Sequence, residues 1–135
     1  MIKLIIFDLD GVLVAAKTIH YAALNEALGD GFSITWDEPL SIYDGLKTNE
    51  KLRLLTLNKG LPQERHKEIW QRKQKITLRH LSTLSANPVI KDTIERLSKE
   101  GYKLVCCSNS IRKSVLTMLS RLEIIEYMDL ILGNE

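Results

Sequence analysis

The segment Phe7-Asp8-Leu9-Asp10-Gly11-Val12-Leu13-Val14 places two carboxylates two residues apart, directly after a short apolar run. Residues 3–7 read as a strand buried on both faces, of the kind parallel sheets use. In open α/β sheets ligands bind beyond the carboxyl ends of the strands. Asp8 and Asp10 would stand at that end. Carboxylates so close repel, and one would resist ionisation unless a cation were present. Magnesium suits the pair: it is a hard cation that takes carboxylate and carbonyl oxygens and also screens a phosphate. One carboxylate could then act as nucleophile, forming an acyl-phosphate. The other could exchange a proton with the leaving group or the attacking water. Gly11 permits a tight turn just after the pair. A bare Asp-x-Asp also describes a strand end with solvated aspartates. The apolar strand before it and the Gly-x-Leu after it make the chemical reading the more specific one.

The second such segment is Val105-Cys106-Cys107-Ser108-Asn109-Ser110, before Ile111-Arg112-Lys113. It is a strand that ends in hydroxyl and amide side chains and opens into a helix. A helix N-terminus presents free backbone N–H groups and a positive dipole end, hence a phosphate site at Ser108 and Asn109. The alternative is that Ser108 or Ser110 simply caps the helix.

The elements that must position these residues follow from the pattern of the chain. Residues 17–29 carry Ile19, Ala22, Ala23, Ala27 and Leu28 at helical spacing, with Gly29 as a stop. A short helix is expected over 48–58, with Gly60-Leu61-Pro62 after it. A long helical pattern fills 63–84, with Ile69, Trp70, Ile76, Leu81 and Leu84 on its apolar side. Arg65, Lys67, Arg72, Lys73, Lys75 and Arg79 form its basic side, either a solvated face or a surface that attracts anions. Asn87-Pro88 marks a break, helix 89–99 follows with Gly101 closing it, strand 102–107 comes next, then helix 111–122 and a short strand at 129–132. Strands alternating with helices argue for a three-stranded parallel sheet in an α/β fold. The stretch from 15 to 85 holds no clear strand and is too long for one crossover, so it reads as a helical insertion.

Length and composition set the outer bounds. The chain has 135 residues, 44% hydrophobic and 27% charged, which is ordinary for a globular protein and wrong for a disordered one. A net charge of +2 is too small to imply a nucleic acid or an anionic membrane as partner. The opening apolar run is broken at Asp8, too soon for a signal sequence or a membrane span, and a cytoplasmic location is expected. Cys106 and Cys107 are neighbours on a strand, so they face opposite ways and do not suit a mutual disulfide; buried reduced thiols are expected. His66 and His80 have no partners at metal-ligand spacing, and Trp36 and Trp70 read as core of the insertion.

Together these residues resemble the haloacid dehalogenase-like superfamily. That family has Asp-x-Asp-Gly at the end of its first strand and a Ser or Thr at the end of the next core strand, matched here by Asp8, Asp10 and Ser108. The resemblance implies that Asp8 is the phosphorylated nucleophile, Asp10 the general acid/base, and Ser108 a holder of the transferring phosphoryl group. It implies magnesium on the carboxylate of Asp8 and the backbone carbonyl of Asp10. It implies a partial Rossmann-like core, residues 1–14 and 86–135, with a helical cap at 15–85. The cap resembles that of the phosphoglycolate phosphatase and β-phosphoglucomutase subgroup through His20 with Ala23 and Leu28, through Gly45, and through the return helix from Asn87-Pro88-Val89 to Leu97. His20 and Lys47 are candidate cap contacts to substrate, and Lys51 lies near enough to Gly45 to be another.

The sequence also departs from the family. Ala15 and Ala16 stand where an acidic and a hydroxyl residue are usual. The family's lysine and its later acidic pair have no counterpart before Glu135, and without them transition-state stabilisation should be largely lost. The family's sheet also places two more strands beside strand one, so here strand one is expected to be an exposed edge. The chain is then a fragment of a longer product, or one that associates with a copy of itself or a complementing chain over that edge, or one that has replaced the cover otherwise. The function implied is magnesium-dependent hydrolysis of a small phosphorylated metabolite, with no nucleic acid or membrane involved. The same chemistry serves a sugar phosphomutase. The rival reading is a non-catalytic module that binds phosphate and a protein partner.

Overall fold

The computed structural model describes residues 1–135. Its strands are β1 (Leu4–Phe7), β2 (Lys103–Cys107) and β3 (Leu130–Leu132). Its helices are α1 (Lys17–Leu28), α2 (Thr48–Lys59), α3 (His66–Leu81), α4 (Pro88–Lys99) and α5 (Arg112–Arg121). The chain divides into two compact units, one formed by 1–17 with 80–135 and the other by 18–79.

The first unit is a three-stranded parallel sheet in the order β1-β2-β3. The register sets Ile5 against Leu104, Phe7 against Cys106, and Cys106 against Ile131. Both crossovers advance in one direction along the sheet, so right-handed connections put α4 and α5 on the same face. Leu104 and Cys106 point to that face and are fully buried, as are Ile94, Val115, Met118 and Leu119 from the helices. Local signals place the elements. Asn87 caps α4 by accepting from the N–H groups of Val89 and Ile90, and Pro88 occupies the first turn, where its missing donor costs nothing. Asp129 clamps the start of β3 to β2: its carboxylate accepts from the Leu104 N–H at 2.9 Å and from Lys103 Nζ at 3.0 Å.

The second unit is helical. Its core gathers Leu24 and Leu28 of α1, Leu52 and Leu55 of α2, and Ile69 and Ile76 of α3. Gly60 ends α2 in the left-handed conformation at φ 69°, a position that favours glycine. Asn25 of α1 bridges both backbone groups of Ile34, holding the loop onto the helix.

Several expectations are corrected. β1 is not buried on both faces: Leu4 is 52% and Ile6 62% exposed, although Val105, beside Ile6 on the same side of the sheet, is buried. Cys107 is exposed on that same side, while Cys106 is buried. Trp36 is 65% exposed and only leans on Tyr21, ring centroids 6.0 Å apart, whereas Trp70 does pack against the helical core. Lys73 is not part of the solvated basic face. It is 7% exposed, on the same side of α3 as Ile69 and Ile76.

Candidate functional site

The site is built at the carboxyl ends of β1 and β2. Beyond Phe7 the chain turns around Leu9. The Leu9 side chain is fully buried, and its carbonyl accepts from the N–H groups of Val12, Leu13 and Val14. Gly11, at φ 78°, donates to the Val14 carbonyl at 2.7 Å, closing the turn. Fixing Leu9 inward leaves Asp8 exposed and Asp10 half-buried on either side of it. Asp8 Oδ1 accepts from the Leu9 N–H at 2.8 Å, which orients the carboxylate.

At the end of β2, Ser108 is buried and its N–H donates to the Leu132 carbonyl. Its Oγ accepts from the Ser110 N–H at 3.1 Å. Helix α5 starts at Arg112, with Ile111 at its N-terminal boundary and no side chain capping it. The capping alternative for Ser108 and Ser110 therefore does not hold. Ser108 instead closes a turn, and Ser110 Oγ approaches Asp10 Oδ2 at 3.5 Å. Sequence reasoning gave Ser110 no role at the site; the only signal was a second hydroxyl two residues after the first. Asn109 is exposed, and its carbonyl accepts from the Asn134 side chain at 2.7 Å. Gly133 allows that crossing, since a Cβ there would stand 2.9 Å from Arg112 N.

Cys106 lies on β2 just before this turn. Burial first, then the negative charge of Asp8, pushes its thiol up to about 11. It is therefore protonated at neutral pH and a poor nucleophile.

The donor set offered to a cation is the pair Asp8 and Asp10. No group of three or more His, Cys, Asp or Glu side chains comes together to hold a metal ion. Two carboxylates fit magnesium, which is commonly held by one or two carboxylates with water and substrate phosphate supplying the rest. They do not form an all-protein cage.

The remaining candidates lie in the helical unit. His20 is half-buried on α1, and Lys73 Nζ of α3 lies 3.5 Å from its Nδ1. Lys47 is exposed just before α2, where its N–H donates to the Glu50 carboxylate. Lys51 stands over the Tyr21 ring at 4.7 Å. The Tyr21 phenol is held well above its usual range by burial and by its hydrogen bond to Asp44. His66 Nε2 meets Thr56 Oγ1 at 2.7 Å. Arg79 Nη2 donates to both carboxylate oxygens of Glu26, at 2.7 and 2.8 Å.

Paired aspartates follow the first strand of the α/β unit, and a serine turn from the second strand meets Asp10 at the same end of the sheet. The family profile of haloacid dehalogenase-like hydrolases matches residues 5–135. The chain belongs to the haloacid dehalogenase-like hydrolase family. Among solved structures it is similar to a predicted phosphoglycolate phosphatase from Haemophilus somnus, with TM-score 0.83 and 23% identity, covering 99% of this chain and 63% of that one. It is similar to β-phosphoglucomutase from Clostridium difficile, with TM-score 0.83 and 23% identity, covering 99% of this chain and 62% of that one. It is also similar to CbbY from Rhodobacter sphaeroides in complex with phosphate, with TM-score 0.82 and 20% identity, covering 99% of this chain and 64% of that one. The chain thus spans under two thirds of the length of these structures. A comparison with curated proteins finds no match. No helix is long and apolar enough to cross a membrane.

Proposed function

We propose that this chain carries the nucleophile half of a magnesium-dependent phosphohydrolase acting on a small phosphorylated metabolite in the cytoplasm. The observation that supports this best is the meeting of Asp10 with the Ser108–Ser110 turn at the sheet end that also bears Asp8. An Asp8 carboxylate oxygen attacks phosphorus, and the bond to the leaving oxygen breaks. Asp10 gives that oxygen a proton. The aspartyl-phosphate so formed is then attacked by a water whose proton Asp10 takes back, releasing inorganic phosphate and restoring Asp8. Ser108 supplies a hydroxyl donor to the phosphoryl oxygens, with Asn109 beside it. Asp8 and Asp10 would hold magnesium, which supplies charge neutralisation at the phosphoryl group when bound. His20, with Lys73 beside it, and Lys47 are proposed to contact the substrate from the helical unit. Returning the phosphoryl group to a sugar instead of water would make the same residues a phosphomutase.

A second reading has one observation in its favour. No third acidic group joins Asp8 and Asp10, which suits a module that binds phosphate without transferring it. Hydrolysis of para-nitrophenyl phosphate, with and without magnesium, separates the two. Turnover that needs magnesium and vanishes in Asp8→Asn is the expected result. Absence of turnover in the unaltered chain, alongside retained phosphate binding, would overturn the catalytic reading in favour of the second.

A further inference from the structure

Residues 133–134, just beyond β3, grip the turn that follows β2. Cys107 pairs with Leu132, so the two strands end side by side. Gly133 then crosses the turn so closely that a Cβ there would stand 2.9 Å from Arg112 N and 3.1 Å from the Ser110 carbonyl oxygen. The crossing brings Asn134 to two successive carbonyls. Its side-chain Nδ2 donates to the Asn109 carbonyl at 2.7 Å, and its backbone N–H donates to the Ser110 carbonyl at 3.0 Å. On either side of this grip, the Ser108 N–H donates to the Leu132 carbonyl at 3.0 Å and Arg112 Nη1 to the Ile131 carbonyl at 2.7 Å.

The grip has a consequence two residues earlier. The chain holds no cis peptide bond, and in a planar trans peptide the carbonyl and the N–H point opposite ways. Drawing the Asn109 carbonyl toward Asn134 therefore turns the Ser110 N–H away from it. On that far side the N–H meets Ser108 Oγ at 3.1 Å. A serine hydroxyl has one hydrogen to donate and two lone pairs to accept with. The Ser110 N–H takes up a lone pair, so the hydroxyl hydrogen must point elsewhere and is left for an outside acceptor.

We infer that Asn134 is a positioning residue for the Ser108 hydroxyl, acting through the Asn109–Ser110 peptide. On the proposed function, which this inference rests on for its purpose, the acceptor so served is a phosphoryl oxygen. The Asn134 side chain can be tested apart from the rest of the grip. Its backbone N–H holds the Ser110 carbonyl whatever side chain stands at 134, so Asn134→Ala removes the donor to Asn109 alone and adds no charge near the site.

The test titrates inorganic phosphate, with magnesium present, into the 135-residue chain and its variants, and follows amide hydrogen exchange in the same samples by nuclear magnetic resonance. Asn134→Ala should weaken phosphate binding about three- to tenfold. Ser108→Ala should weaken it at least as much. Adding Asn134→Ala to Ser108→Ala should then change the affinity by less than about twofold, because the asparagine acts through the serine. Exchange at the Ser110 N–H should quicken about tenfold in Asn134→Ala, while the Ser108 N–H, bonded to the Leu132 carbonyl, stays within about twofold. Asn134→Leu fills the space without supplying a donor and should repeat both results. Additive losses of affinity would overturn the inference, since they would mean that Asn134 does not act through Ser108. Unchanged exchange at Ser110 would overturn it too, as would equal quickening at both amides, which marks a general loosening of β3. An unaltered chain that binds no phosphate would overturn the proposed function instead, and exchange at Ser110 would then decide the positioning by itself.

Discussion

Ser110 Oγ lies 3.5 Å from Asp10 Oδ2, joining segments 100 residues apart in sequence. At that length the hydrogen bond is weak, and its worth is in placing the turn that holds Ser108. Ser110→Ala should therefore lower magnesium-dependent turnover of para-nitrophenyl phosphate by less than about tenfold, or about 1.4 kcal/mol in the barrier. Asp10→Asn removes the proposed proton carrier and should cost roughly a hundredfold or more. Steady-state rates of the two variants side by side give the comparison, and an equal loss in both would contradict the roles assigned.

Asp129 gives the fold a pH dependence whose sign is fixed. The Leu104 N–H, and next the Lys103 ammonium, hold its carboxyl below the usual range. A depressed folded pKa contributes stability above the unfolded value and loses it as pH falls through the folded one. Asp129→Asn should thus lower the urea midpoint near neutrality, and the two curves should begin to converge as the pH falls below about 4 and meet only below the depressed folded pKa. Curves that stay parallel to the acid limit would refute the assignment.

The two thiols should separate cleanly. Cys107 is exposed, whereas Cys106 is buried and its thiol lies up to about 11. With a disulfide reagent at about pH 8, one thiol should react quickly and the second only on unfolding. Cys107→Ser should remove the fast phase and leave the slow one.

Packing makes a further prediction. Leu104 is fully buried under α4 and α5, so Leu104→Ala should cost about 2–5 kcal/mol in urea denaturation. Leu57 is 80% exposed on α2, and Leu57→Ala should stay within about 0.5 kcal/mol. The pair calibrates which leucines carry the fold.

Element order was legible in the sequence because its signals are local. Asn87-Pro88 starts α4 and Gly60 ends α2 through contacts within a few residues, and the expected strand at 102–107 appears as Lys103–Cys107. What was not legible depended on distant partners. An apolar run such as Leu4–Phe7 carries no record of whether anything covers its second face, so its expected burial was wrong, and Cys107 failed for the same reason. Lys73 is different, because its spacing from Ile69 and Ile76 already put it on the apolar side of α3, and its charge masked the pattern. Asp8, Asp10 and Ser108 were singled out from their expected place at strand ends, and they do follow directly on β1 and β2. The approach of Ser110 to Asp10 could not be foreseen, since nothing in the spacing says how deep the second turn reaches.

The sheet order also sets a timetable for assembly. The helical unit is one continuous stretch, 18–79, and its contacts can form as that stretch is made. β1 is synthesised first, yet its only partner in the sheet is β2, Lys103–Cys107. Closing that distance carries the entropic cost of a long loop, and folds dominated by such pairings are slow. An emerging chain therefore holds a finished helical unit while Leu4–Phe7 waits unpaired. During that interval its apolar residues are most open to aggregation, and a chaperone that binds extended apolar segments would find them there.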